Sequence, residues 1–265
     1  MRNAKTLLLA SIVSLFQLGC GPLEESSADA VDDSTTVESK IINGTDDSGD
    51  PAIVAIFAKL KGKDSGGLCT GTVISPTVVL TAAHCVDPAA FQGEQVESFT
   101  VITDWNLTDG IADDARLAVK ETHFDPEFNI NSVTNGHDVA VVILGEPTAI
   151  TPIPWNSKPL DTVNKFPIRL VGYGLSDGFN QTGAGVKREA KSKTRSVNTL
   201  FVKHGQFLVG SRICNGDSGG PVLANIEGRE TVIGVNSFGY AFCLAEAKST
   251  RVDTYSSFVN QWLQP

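Results

Sequence analysis

From residue 41 onward the chain alternates short apolar runs with turn-forming residues. The runs are 53–60, 70–75, 78–81, 99–102, 139–144, 168–171, 199–202, 221–224 and 231–235. Gly, Pro, Asn or Asp bound them, and strands at this spacing predict an all-β barrel or sandwich. Only the end has helical spacing. Over 253–263, Tyr255, Phe258, Val259, Trp262 and Leu263 recur on one face, with Asp253 or Thr254 placed to cap it. This stripe reads as core packing. The segment 147–160 carries Pro147, Pro152, Pro154 and Pro159 and reads as a connector between two halves. No internal repeat is visible.

The first forty residues follow a different pattern. Arg2 and Lys5 precede the apolar run 7–18, as in an export signal, here assigned to 1–19. Residues 20–40 are rich in Ser, Asp, Glu and Thr, too polar for a core, and read as a disordered tether or propeptide. The remaining 41–265 is one functional unit, with an N-terminal half at about 41–150, a C-terminal half at about 160–252 and a terminal helix at about 253–264. A length of 265 residues with 41% hydrophobic composition suffices for a sizeable core. The net charge of −9 argues against a nucleic-acid partner. No apolar run reaches the roughly 18 residues of a clear membrane span.

Candidate chemistry centres on Asn215-Gly216-Asp217-Ser218-Gly219-Gly220-Pro221. Glycines beside a serine let the backbone approach a substrate and leave N–H groups free to stabilise an oxyanion. A serine nucleophile needs a base, and the base an orienting acid. His84, in Thr81-Ala82-Ala83-His84-Cys85, and Asp138, before the apolar run Val139–Leu144, supply these types. Their order is His, Asp, Ser. An α/β-hydrolase elbow would need a histidine after the serine. All four histidines (His84, His123, His137 and His204) precede Ser218. The subtilisin order fails on local context. His123, His137 and His204 read as structural or loop residues.

The pieces Ile41-Ile42-Asn43-Gly44, Thr81-Ala82-Ala83-His84-Cys85, Asp138-Val139-Ala140-Val141, Gly172-Tyr173-Gly174, Gly216-Asp217-Ser218-Gly219-Gly220-Pro221 and Ser237-Phe238-Gly239 stand in one order from residue 41 nearly to the end. Together they resemble the chymotrypsin/trypsin-like serine peptidases. The resemblance implies two six-stranded antiparallel β-barrels with a C-terminal α-helix, and a cleft site between the barrels. It implies Ser218 as nucleophile, His84 as base, Asp138 as its orienter, and the N–H groups of Gly216 and Ser218 as oxyanion hole. It also implies disulfides Cys69–Cys85 and Cys214–Cys243, which leave Cys20 over. Cys20 ends Gln17-Leu18-Gly19-Cys20, which resembles a bacterial lipoprotein cleavage box despite Gln17. The expectation is an exported protein, lipidated at Cys20 on a bacterial envelope or secreted.

Within the same resemblance, cleavage between Lys40 and Ile41 would free an amine that pairs with Asp217, so a zymogen is expected. Arg212, six residues before Ser218, matches the base of the pocket for the side chain preceding the cut. Three readings stay open: preference for Glu or Asp, neutralisation of Arg212 by a residue such as Glu246, or an outward-turned Arg212. Ala247 falls at the pocket wall, and Ser237-Phe238-Gly239 should pair with the substrate backbone. A pocket floored by Arg212 should reject Lys40, so a separate activating protease is expected. Glu97 and Asp104 lie near where some relatives bind calcium, but the chain commits to no metal and no cofactor. The partners expected are a protein or peptide substrate and the activating protease, with the peptidase a monomer. The rival reading is a non-catalytic homologue that binds proteins, and esterase chemistry is a weaker one.

Overall fold

A computed structural model describes residues 41–263 except 43, 64, 161–164, 206–209 and 211. The signal, the tether, Cys20 and Lys40 lie outside the described residues.

Thirteen strands account for most of the regular structure described. Six of them are β2 (Ile53–Leu60), β3 (Gly66–Ser75), β4 (Val78–Thr81), β5 (Val96–Ile102), β6 (Arg116–Phe124) and β7 (Ala140–Leu144). They close an antiparallel barrel in the order β2-β3-β4-β7-β6-β5, with β5 returning to β2. The second barrel comprises β8 (Pro167–Gly172), β9 (Arg188–Val197), β10 (Phe201–His204), β11 (Pro221–Ile226), β12 (Arg229–Gly239) and β13 (Ala247–Arg251). Its order is β8-β9-β10-β13-β12-β11, and β11 pairs back with β8. The short β1 (Thr45–Asp46) adds to β9. Two closed barrels leave few open edges, which suits strands this short.

Packing explains why the apolar runs are nearly continuous rather than strictly alternating. Ile53, Val54, Ala55 and Ile56 of β2 are all buried. One face fills the barrel and the other meets neighbouring chain. The main core joins Val54, Val73 and Leu80 of the first barrel with Val171, Leu223 and Val235 of the second. This shared core holds the barrels against each other. Lys187 adds a polar strut, its buried ammonium donating to the carbonyls of Asp50 and Ile53.

The C-terminal segment forms a 3-10 turn, Asp253–Tyr255, then a five-residue α-helix α1 (Ser256–Asn260). Neither Asp253 nor Thr254 caps it. Asp253 accepts from Arg251 and from the Leu160 N–H, and the Thr254 hydroxyl donates to Thr199 O at 2.9 Å. Cys69 is bonded to Cys85 and Cys214 to Cys243. Two disulfides mark a chain suited to an oxidising, extracellular-type compartment. Among the described residues no helix is long and apolar enough to cross a membrane.

Candidate active site

His84 lies in a 3-10 turn (Ala83–Cys85) directly after β4. Cys85 ties that turn to Cys69 on β3. Asp138 lies just before β7, which pairs with β4 through Thr81↔Ala140. Strand pairing therefore brings the two residues together.

Their contacts are specific. Asp138 Oδ1 accepts the backbone N–H of His84 at 2.9 Å, and Oδ2 lies 2.8 Å from His84 Nδ1. The Ser237 hydroxyl also donates to Oδ2. Asp138 is fully buried, and burial would raise its pKa, but the His84 and Ser237 contacts outweigh this and hold it below the usual carboxylate value. An ionised carboxylate only accepts hydrogen bonds, so Nδ1 must carry the proton. The neutral ring then leaves Nε2 bare as a base.

Ser218 comes from the second barrel, in the turn before β11. Thr70 on β3 holds this turn from the other barrel. Its N–H donates to Ser218 O at 2.8 Å and its hydroxyl to Gly216 O at 2.8 Å. The Thr81 hydroxyl in turn donates to Thr70 O at 2.9 Å. Gly219 sits so tightly here that a Cβ would fall 2.0 Å from Thr81 Oγ1 and 3.0 Å from Ala82 N. Ala82 is two residues from His84, so the approach that only glycine permits sets Ser218 beside the His84 turn. Among the described residues, neither Ser218 Oγ nor the N–H groups of Gly216 and Ser218 have a hydrogen-bond partner.

Asp217 points the other way, into the protein. Its carboxylate accepts from Gly174 N and Cys214 N, each at 2.8 Å. Burial raises its pKa to about 7, against these bonds and the pull of Arg188. Added Cβ atoms on Gly172 and Gly174 would meet the carboxylate at 2.3 and 2.4 Å, which accounts for the glycines flanking Tyr173. Ile41 is fully buried, and Ile42 packs with Leu175 and the Cys214–Cys243 disulfide.

The remaining sequence candidates take these places. Arg212 is 6% exposed, its stem beside Gly205, where an added Cβ would fall 3.7 Å from Arg212 Cγ. Its Nε and Nη1 have no partner among the described residues, and burial lowers its pKa. Glu246 pairs instead with Arg195 at 3.6 Å. Ala247 is buried and opposite Gly239 in the sheet. Phe238 packs edge-on to Phe201, with Lys248 Nζ 4.9 Å over its ring. β11 stops pairing with β12 at Val235, so Ser237–Gly239 keeps one edge unpaired by any described strand.

Cys69, His84 and Cys85 cluster at metal-ligand spacing, but the two sulfurs are bonded to each other and offer no thiolate. Glu97 pairs with Lys59, and Asp104 accepts the Ala112 N–H. Neither belongs to a ligand cluster among the described residues.

Sequence reasoning missed Thr70, Thr81 and the Ser237–Asp138 contact. The one signal was a polar residue in an apolar strand: Thr70 and Thr81 are both fully buried.

Known proteins bear on this geometry. The family model described as Trypsin matches residues 41–263. Chymotrypsin-like elastase family member 1 of Bos taurus is 28% identical over 213 residues, covering 72% of this chain and 77% of that protein. Brachyurin of Leptuca pugilator is 28% identical over 211 residues, covering 74% of this chain and 86% of that protein. With that match spanning both barrels and the cleft residues alike, the chain belongs to the trypsin-like serine peptidase family.

Proposed function

We propose that the protein is a serine endopeptidase with Ser218, His84 and Asp138 as its triad. The observation that supports this is the buried Asp138 carboxylate bonded to His84 Nδ1, which leaves Nε2 to act as base, in a turn whose Thr81 and Ala82 lie against Gly219, the neighbour of Ser218. Ser218 Oγ attacks the peptide carbonyl carbon and its proton passes to His84 Nε2. The carbonyl oxygen becomes an oxyanion held by the N–H groups of Gly216 and Ser218. Collapse breaks the C–N bond, and His84 gives its proton to the departing amine. Water, activated by the same imidazole, then hydrolyses the acyl-enzyme. The unpaired edge of Ser237–Gly239 receives the substrate as an added strand.

The same reading makes Arg212 the floor of the specificity pocket. A buried guanidinium with no carboxylate partner among the described residues favours substrates that bring one, so cleavage follows Glu or Asp. The burial of Arg212 and the pairing of Glu246 with Arg195 support this over an outward or neutralised arginine. Ala247 narrows the pocket wall. Such a site rejects Lys40, and another protease performs the cut before Ile41. The new amine then pairs with Asp217, whose buried carboxylate accepts the N–H groups of Gly174 and Cys214 and feels the charge of Arg188. The chain acts outside the cytoplasm, on a bacterial envelope through lipidated Cys20.

A peptide-library cleavage profile tests the reading, using protein cut after Lys40 and Ser218→Ala as control. Cleavage after Glu or Asp, absent in the control, is expected. The mechanism requires neutral His84, so the rate should rise with pH between about 5 and 8 rather than stay flat. No cleavage by protein with a verified free Ile41 amine would favour a non-catalytic binding homologue.

A further inference from the structure

Behind the nucleophile turn, the second barrel buries a line of polar side chains that the reaction above does not use. His204 ends β10, Ser249 lies on β13 and Asn236 on β12, three strands adjacent in the barrel. All three residues are 0% exposed. The buried core of the same barrel includes Ile168, Leu170, Val222 and Ile233. Polar groups in such surroundings cost free energy unless hydrogen-bonded, so their partners define what they do.

The bonds form one chain. His204 Nε2 lies 2.8 Å from Ser249 Oγ. Ser249 Oγ donates to Asn236 Oδ1 at 2.9 Å. Asn236 Nδ2 donates to the main-chain oxygen of Asp217 at 3.1 Å.

The chain can run in only one direction. A carbonyl oxygen only accepts, so the Asn236 NH2 group faces Asp217 and its Oδ1 faces Ser249. Ser249 has a single hydroxyl proton, and Oδ1 takes it. Ser249 Oγ must therefore accept from His204, whose Nε2 carries the hydrogen. Nδ1 is left bare, and among the described residues it has no partner. Burial lowers the His204 pKa to about 4, so this neutral form persists at ordinary pH.

What the chain holds gives it meaning. In a trans peptide the C=O and the following N–H point to opposite sides of one plane. Anchoring Asp217 O on Asn236 therefore turns the Ser218 N–H the other way, away from the Asn236 side chain. Asp217 O also accepts the Gly220 N–H at 3.0 Å. The Asn236 backbone grips the next residues, its N–H donating to Gly220 O and its O accepting from Gly219 N–H, both at 2.8 Å.

We propose that His204, Ser249 and Asn236 are positioning residues: a one-way hydrogen-bond relay that fixes the direction of the Ser218 N–H in the oxyanion hole. This rests on the reading of Ser218 as nucleophile. It gives a catalytic consequence to three residues that touch no substrate.

The test uses full-length protein cut after Lys40. A fluorophosphonate probe is applied first to the wild type and to Ser218→Ala. Labelling of the wild type alone upholds the nucleophile, whatever the relay does. An unlabelled wild type with a free Ile41 amine overturns the nucleophile and the relay's role with it. Kinetics then follow on Asn236→Leu, Ser249→Ala, His204→Leu and His204→Gln. Glutamine can place an N–H where His204 Nε2 stands.

The expected result is a fall in kcat of about ten- to thirtyfold in the first three, with KM within about twofold. That is less than the roughly 10²–10³ lost when an oxyanion donor is deleted outright. Affinity for a peptide trifluoromethyl ketone, which forms the oxyanion, should fall by the same factor, and affinity for the product acid should hold. His204→Gln should recover most of kcat. Folded variants with unchanged kcat, or with His204→Gln as impaired as His204→Leu, would overturn the relay. If the variants do not fold, nitrogen NMR of the wild type decides: a proton on His204 Nδ1 rather than Nε2 refutes the chain as drawn.

Discussion

Replacing Asp217 with asparagine in the uncut chain should remove a stability cost that grows with pH. The Asp217 carboxyl is fully buried, and burial raises its pKa from 3.8 to about 7. Between those two values the folded chain keeps a proton that the unfolded chain has released. Stability therefore falls as pH rises, by about 1.4 kcal/mol per unit and about 4 kcal/mol over the whole window. The contribution is complete below the unfolded value and gone once pH passes about 7. Asparagine does not titrate, so the variant lacks this component of the slope. Its NH2 group would face Gly174 N–H or Cys214 N–H, a clash of roughly 1–3 kcal/mol that is the same at every pH. The slope is thus the quantity to read. Urea unfolding from pH 4 to 8, with Ser218→Ala in both proteins, should show the wild-type advantage shrinking up to about pH 7 and constant above. On the proposed activation, cutting after Lys40 would supply a cation to the carboxylate, and the advantage should then grow with pH. A difference independent of pH in the uncut proteins would refute the argument.

Three further outcomes are expected. Asp138→Asn should lower kcat by about 10⁴, because the amide can donate to Nδ1 and hold the wrong tautomer; active-site titration alongside steady-state rates checks it. Arg212→Ser should cost about 10–100-fold in kcat/KM for peptides with Glu before the cut, the worth of a charge-assisted hydrogen bond, and spare those with Ala there. Removing the Cys69–Cys85 bond, which closes a 16-residue separation, should cost about 3 kcal/mol in urea unfolding and slow turnover by loosening the His84 turn.

The all-β class and the candidates for the reacting groups could be read from the chain alone. Apolar runs such as Ile53–Leu60 announce strands because both of their faces are buried. His84, Asp138 and Ser218 stood out as candidates because acyl transfer needs those residue types in local settings few other roles require. Strands β6 and β9 were not legible. Arg116–Phe124 and Arg188–Val197 carry charges on their outer positions, and β9 buries Arg188 and Thr194 beside the widely spaced Ala190 and Val197, so no apolar run marks them. Ladder partners fix such segments, and ladder partners are tertiary. The terminal stripe read as about three helical turns, yet only Ser256–Asn260 is α-helix. Tyr255 is held by the His137 N–H at 2.7 Å, and Trp262 stacks on His123 with ring centres 3.6 Å apart. Those contacts, not local periodicity, set the segment's course. The supports of the site were equally hidden. Ser237 reaches Asp138 across 99 positions and Thr70 reaches Gly216 across 146. A buried hydroxyl or amide has no periodic signature. Its role exists only once barrel closure brings a distant donor or acceptor within hydrogen-bond range, which no local stretch of chain can specify.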